Sequence, residues 1–355
     1  MENGSGAATA SYQLRLKHPV TQAVGGRVRL FEMFDAHKLG NPQQRLFLWS
    51  LFEGVPKFYR DCFEQNILTD GQDHRAKSLG RLFFEGSSPL RDEATNWFLR
   101  ELRGRYDSVL KLLAKKGPCS YRELVAEYAR VGSGGEQQLS AYLATLIERY
   151  RMIEKLVPVF AGEKSRKARY MIADNFLAAW LHALARNVES ARIRPLDEAV
   201  ERADQGLATH EGFAFEKMVR LLSEECSRKG TGDFRLTDLV RGYWNKPDGS
   251  DIEIDLIAID EESERVRFGS CKRHAARHDA ESLRRFDGHV DRFLRTKEGQ
   301  RFSNWRRERA LYSPVIDDDR RRPLSAEGYV CIDLADFATW LGHPPSRTAE
   351  HGAIS

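Results

Sequence analysis

The chain has 355 residues, 41% hydrophobic and 30% charged, with a formal net charge of +4, and its mean hydropathy is −0.54. That length allows two or three domains of ordinary size, and the composition is that of a folded globular protein, not a disordered chain. No apolar run approaches the ~18 residues of a membrane span, and Met1 to Ala10 lacks a basic segment followed by an apolar one, so a cytoplasmic protein without a membrane partner is expected.

Five cysteines, Cys62, Cys119, Cys226, Cys271 and Cys331, lie far apart and form no CxxC pair, which predicts reduced, buried thiols and no zinc ribbon. Positive charge is concentrated between residues 105 and 170, where 13 Lys and Arg face 7 Asp and Glu. Such a stretch is the first place to look for a polyanion partner.

Residues 1–26 read as a flexible tail, and residues 27–104 as a helical region. Leu46, Phe47, Leu48, Leu51 and Phe52, then Phe58, Tyr59 and Phe63, recur at helical spacing around a Gly54-Val55-Pro56 break. Residues 89–103 predict another helix, acidic at Asp92 and Glu93 and basic at Arg100 and Arg103.

Residues 105–190 predict a winged helix-turn-helix with a sealing helix. A helix carrying Val109, Leu110, Leu112 and Leu113 ends at Gly117-Pro118, and Ser120 with Glu123 fits a capping box that opens the next helix. Ser133 and Glu136 offer a second capping box before the apolar stripe Leu139, Tyr142, Leu143, Leu146, Ile147 and Tyr150. Two strand patterns, 152–157 and 168–172, then flank a basic hairpin tip, the wing, whose Lys164, Arg166, Lys167 and Arg169 are expected to meet DNA phosphates. The alternative is a module that only packs domains together. Phe176, Leu177, Trp180, Leu181 and Leu184 form the sealing helix, and residues 191–209, polar around Pro195, read as a linker.

Residues 210–345 predict an α/β domain, and 346–355 a tail. A helix over 212–225 carries Glu216. Strands follow at 234–244, 252–259 and 265–272, then a helix over 280–294, a strand at 310–315 and a strand with a helix over 329–341. Asp255 on one strand and Lys272 at the end of the next fit the pattern of restriction-endonuclease-like nucleases, in which carboxylates hold Mg2+ or Mn2+ against a scissile phosphate and a lysine positions the attacking water. Where a second acid is expected two residues before the lysine, Ser270 stands. Glu253, two residues before Asp255, is the candidate second metal ligand, and Glu216 is the candidate that completes a displaced catalytic site. The domain is then a working nuclease, a degenerate one, or an unrelated α/β module whose Glu253 and Asp255 are surface acids. Leu256 to Glu261 has the look of a Walker B strand, but the chain has no GxxxxGK[ST] loop, so no nucleotide is expected. His274, His278 and His289 read as part of a solvated face, and Asp317 to Arg322 as an exposed loop.

Taken in order, 51–59, 89–93, 101–106, 170–177, the Phe215-Glu216 helix, 253–256 and 268–272 resemble the prokaryotic archaeal-type ATPases of the AAA+/STAND kind. The resemblance implies a P-loop domain followed by a winged helix and a C-terminal PD-(D/E)xK nuclease-like domain. This chain resembles the part after the P-loop domain, so a separate ATPase subunit is the implied partner, in mobile-element or defence biology. Asp255, Lys272 and Glu216 match the family's nuclease-like pattern, while Ser270 stands where the family usually has Glu. A DNA-associated protein with a working or degenerate nuclease-like domain is expected; the alternative is a non-catalytic interaction module of such an ATPase system.

Overall fold

The computed structural model describes residues 34–69, 71, 73–93, 105–131, 135–162 and 165–342. The tails at 1–26 and 346–355, most of the helix expected over 89–103, Ser133 and Lys164 lie outside these residues. The fold is mixed helix and sheet, as expected.

In the N-terminal region α1 (Pro42–Phe52) starts at Asn41, whose side chain accepts the N–H groups of Gln43 and Gln44. Its residues from Gln44 to Phe52 are all buried, so this helix is core on every side. Next come α2 (Pro56–Glu64) and α3 (His74–Leu79). Phe52, Phe58 and Phe83 gather around Phe176 of a later helix, with 4.7 Å between the Phe58 and Phe176 ring centroids. These aromatic contacts hold the region to the module that follows.

That module contains α4 (Arg105–Lys116), β1 (Cys119–Ser120), α5 (Tyr121–Arg130), α6 (Glu136–Ala144), β2 (Ile153–Leu156) and β3 (Arg169–Ile172). The strands form an antiparallel sheet in the order β1-β3-β2. The Ser120–Glu123 capping box is present in both directions. Gly135 precedes α6 without a side-chain cap and Glu136 is its first residue, while Ser133 of the second expected box lies outside the described residues. Gly117 turns the chain after α4 at φ 72°, and a Cβ there would stand 2.9 Å from Phe213. The sealing helix is α7 (Asn175–Ala179), extended through a wide turn at Trp180–Leu184 into α8 (Ala185–Ser190).

The segment expected as a linker at 191–209 is largely helix. A single rod, α9 (Leu196–Arg228), has 33 residues and at 1.5 Å per residue is about 50 Å long. Its first half looks polar in sequence, but Ala199, Val200, Ala203 and Leu207 are buried along one side. Small residues make that packing close; a Cβ on Gly206 would lie 3.0 Å from the Cβ of Ala183. The linker reading fails because a stripe of alanines carries little apolar signal until a partner helix lies against it.

The second half of α9 covers one face of a five-stranded sheet, β4 (Arg241–Trp244), β5 (Glu253–Asp260), β6 (Arg265–Cys271), β7 (Arg306–Tyr312) and β8 (Tyr329–Ile332), ordered as numbered. Pairing is antiparallel from β4 to β6 and parallel from β6 to β8. The opposite face is covered by α10 (Ala280–Leu294) through Leu283, Phe286, Val290 and Phe293. Two short helices, α11 (Lys297–Gln300) and α12 (Asp318–Ala326), precede α13 (Leu334–Trp340), which joins α9 on the first face. The strand expected over 234–244 is confined to its last four residues. The expected loop at Asp317 to Arg322 begins α12, where early Asp318 and Asp319 suit the helix dipole. All five cysteines are free and buried.

Candidate functional site

The site begins with an irregularity in β5. Residues two apart on a regular strand share a face, yet Ile254 packs on the α10 side with Ile257 and Ile259, while Leu256 and Ala258 pack on the α9 side. The strand therefore switches faces at Asp255, beside the point where its pairing with β4 slips between Arg241 and Tyr243. Gly242 permits the slip, since a Cβ there would stand 3.0 Å from the Asp255 carbonyl oxygen. Bulged strands of this kind re-aim a side chain, and here that side chain is a carboxylate.

Asp255 Oδ2 accepts the Cys271 N–H at 2.8 Å, which fixes the carboxyl against the end of β6. Lys272 follows directly, and its own N–H donates to the Tyr312 carbonyl at 2.9 Å. Its neighbour Arg273 donates to Glu211 Oε2 at 2.9 Å, and Arg75 of α3 shares this buried carboxylate. The helical region thus braces the β6 end through α9.

Glu216 of α9 meets Asp255 from above the sheet. Loss of water around the carboxyl, reinforced by the Asp255 charge, pushes Glu216 up to about 8, against the pull of Arg220 and Lys272. Asp255 is also raised by loss of water, opposed first by Lys272 and then by the Cys271 N–H. The charges of Glu216, Asp255 and Lys272 thus act on one another. Ser270 is buried and adds no carboxylate.

Glu253 and Arg169 are partnered with each other. Glu253 Oε1 pairs with Arg169 Nη1 at 2.7 Å, while its charge still bears on Asp255 and Glu216. Arg169 does not face outward: its Nε donates to the Pro247 carbonyl at 2.6 Å and its guanidinium lies 4.4 Å from the centre of the Trp244 ring. Trp244 Nε1 donates to the Lys167 carbonyl at 2.6 Å, and the Val159 N–H to the Gly242 carbonyl at 2.9 Å. The hairpin thus lies along the edge strand β4, whose unpaired backbone groups and exposed Trp244 face would otherwise be uncovered. Of the remaining basic tip residues, Arg166 is exposed, Lys167 is half-buried and Lys164 lies outside the described residues.

Two residues of the site escaped the sequence reading. Arg220 lies four residues after Glu216, a helical neighbour spacing that could have found it. His289, expected on a solvated face, accepts the Glu253 N–H at 3.1 Å. His278 is buried and bonded to the Tyr312 carbonyl.

Among the described residues no group of three or more His, Cys, Asp and Glu side chains is placed to hold a metal. The Glu216–Asp255 pair is nonetheless a plausible donor set for Mg2+ or Mn2+. Magnesium commonly takes one or two carboxylates and completes its shell with water and phosphate oxygens. A cation between these two carboxyls would offset the loss of water that raises both.

The DUF234 family, described as archaeal and bacterial proteins of unknown function, matches residues 180–283, a span that contains Glu216, Asp255 and Lys272. An uncharacterised protein of Methanocaldococcus jannaschii is 30% identical over 134 residues, which are 38% of this chain and 29% of that protein. The alignment thus spans less than a third of that relative's length. No solved structure matches the chain. Among the described residues no helix is long and apolar enough to cross a membrane.

Proposed function

We propose that the chain is a DNA-associated protein whose C-terminal domain is a PD-(D/E)xK-type phosphodiesterase dependent on Mg2+ or Mn2+. The observation that carries this reading is the Glu216–Asp255 carboxyl pair beside Lys272 at the irregular strand. A bound cation supplies Lewis-acid stabilisation of charge on the phosphate. Glu216 and Asp255 would hold it, with Glu216 as the ionised carboxylate. Lys272 positions the attacking water or a phosphate oxygen, and Arg220 adds positive charge beside the pair. The residue 105–190 module, with helices and sheet in winged-helix order, is read as the DNA-docking part, and the resemblance to the archaeal-type ATPases supports a separate ATPase partner.

The test is cleavage of supercoiled and linear DNA by the full chain with Mg2+ or Mn2+, beside Glu216→Gln, Asp255→Asn and Lys272→Ala. Cation-dependent nicking lost in all three variants is the expected result. Folded wild-type protein that cleaves neither substrate would overturn it.

A second reading, a non-catalytic interaction module of an ATPase system, is favoured by the docking of the hairpin on β4, which occupies Arg169. Charge reversal of Arg166 and Lys167 separates the two: salt-dependent DNA affinity falls under the first and is unchanged under the second.

A further inference from the structure

Lys272 stands just past the end of β6, and the backbone on both sides of it is held. The Cys271 N–H donates to Asp255 Oδ2 at 2.8 Å, the Lys272 N–H to the Tyr312 carbonyl at 2.9 Å, and the Ser313 hydroxyl to the Lys272 carbonyl at 2.8 Å. Among the described residues the Lys272 ammonium has no hydrogen bond or ion pair of its own, so this backbone sets where it stands.

Arg273, the next residue, ties the strand end to α9: its Nη1 donates to Glu211 Oε2 at 2.9 Å. Glu211 is 2% exposed, and its other oxygen accepts from Arg75 of α3. Arg75 is fixed in turn by Asp204 Oδ1 at 2.8 Å and by the Phe47 ring, whose centre lies 4.3 Å from the guanidinium. A buried carboxylate divided between two guanidiniums has one favourable place, because moving it toward either arginine strips the other of its partner.

The same helix carries Glu216 farther along. One rigid rod therefore supplies a carboxyl to the site and, through Glu211, grips the strand end that carries Lys272. A shift of α9 along its axis would carry Glu216 past Asp255, and the Glu211–Arg273 bond opposes that shift.

We propose that Glu211 is a positioning residue of the candidate site, an inference that rests on the function proposed above. By holding Arg273 it fixes Lys272 relative to Glu216 and Asp255, and Arg75 makes the helical region part of that clamp.

Methionine at 273 or at 75 removes the cation and keeps much of the apolar stem. Each of these arginine side chains is 25% exposed, and Glu211 keeps its other partner in either single variant. The full chain is assayed with Mn2+ on a short DNA duplex, well below the melting temperature of each variant, and amide hydrogen exchange is followed in metal-free protein. Arg273→Met is expected to lower kcat about 10-fold with KM unchanged, as a small misplacement of a reacting group does. It should also speed exchange about 10-fold at the Cys271 and Lys272 amides, while the Phe268 and Gly269 amides within β6 stay protected. Arg273→Lys, which leaves a cation for Glu211, recovers most of both. Arg75→Met lowers kcat from a helix outside the sheet, and the double variant is no worse than Arg273→Met, because both arginines act through one carboxylate. Undiminished cleavage or unchanged exchange in Arg273→Met overturns the proposal, as does a loss that adds up in the double variant and spreads over all β6 amides. Wild-type protein that fails to cleave removes the underlying function and this inference together; a cleaving wild type with a fully active Arg273→Met removes the inference alone.

Discussion

Arg169 and Glu253, 84 residues apart, form a 2.7 Å ion pair that fastens the hairpin of the residue 105–190 module to the first residue of β5. The two partners are unequally desolvated: the Arg169 side chain is 13% exposed and that of Glu253 41%. Arg169 also spreads over Trp244 and donates to the Pro247 carbonyl, so it carries packing as well as charge. The pair occupies an arginine of the hairpin that meets the C-terminal sheet.

Removing either partner has a different expected cost. Arg169→Ala loses the stacking and both hydrogen bonds and should destabilise the protein by about 2 kcal/mol. Glu253→Gln leaves the stacked guanidinium in place and should cost about 1 kcal/mol. A double-mutant cycle by urea unfolding should give a coupling of roughly 0.5–1.5 kcal/mol. Strictly additive single effects would mean that the pair is incidental to the docking.

Continuity of α9 makes a second expectation. Ala203 is fully buried in the middle of the segment that reads as a linker. Proline there removes a helical N–H and strikes the preceding turn, at a cost of about 3 kcal/mol or more. Ala203→Pro should therefore lower the urea midpoint sharply, and trypsin should leave Arg202 uncut in the native protein. A silent Ala203→Pro with rapid cleavage at Arg202 would restore the linker.

Features decided by near neighbours were legible in the sequence. The Ser120–Glu123 capping box depends on four residues, α10 on its own stripe, and β5 and β6 on alternation over seven or eight. The positions of Asp255 on β5 and of Lys272 just past the end of β6 were legible for the same reason. What could not be read was partner choice across the chain. Nothing near Arg169 distinguishes a phosphate from Glu253, and nothing near Glu253 says that the strand switches faces before Asp255. The switch depends on Gly242 of the neighbouring strand, and the burial of α9 depends on Ala183 and its neighbours. Both are decided by tertiary packing that leaves no local period.

The pH dependence of stability follows from opposing buried groups. His210 donates to the Ser50 carbonyl at 2.7 Å, yet loss of water brings it down to about 4. His278 is brought down to about 4 by the same cause. Between pH 4 and 6.5 the unfolded chain holds these protons and the folded chain does not, so both histidines make stability rise with pH. Glu216 acts in the opposite sense. Its folded value of about 8 lies above the ordinary 4.5, so across that interval the folded state holds a proton the unfolded state has lost. Its contribution is fully present below pH 4.5 and disappears as pH climbs toward 8. The expectation for metal-free protein is that Glu216→Gln gains stability relative to wild type as pH rises from 4.5 to 8, by up to about 5 kcal/mol in all. Urea midpoints of the two proteins across that range measure it. A difference that does not change with pH would mean that Glu216 ionises as a solvated carboxylate does, and that it does not share a desolvated site with Asp255.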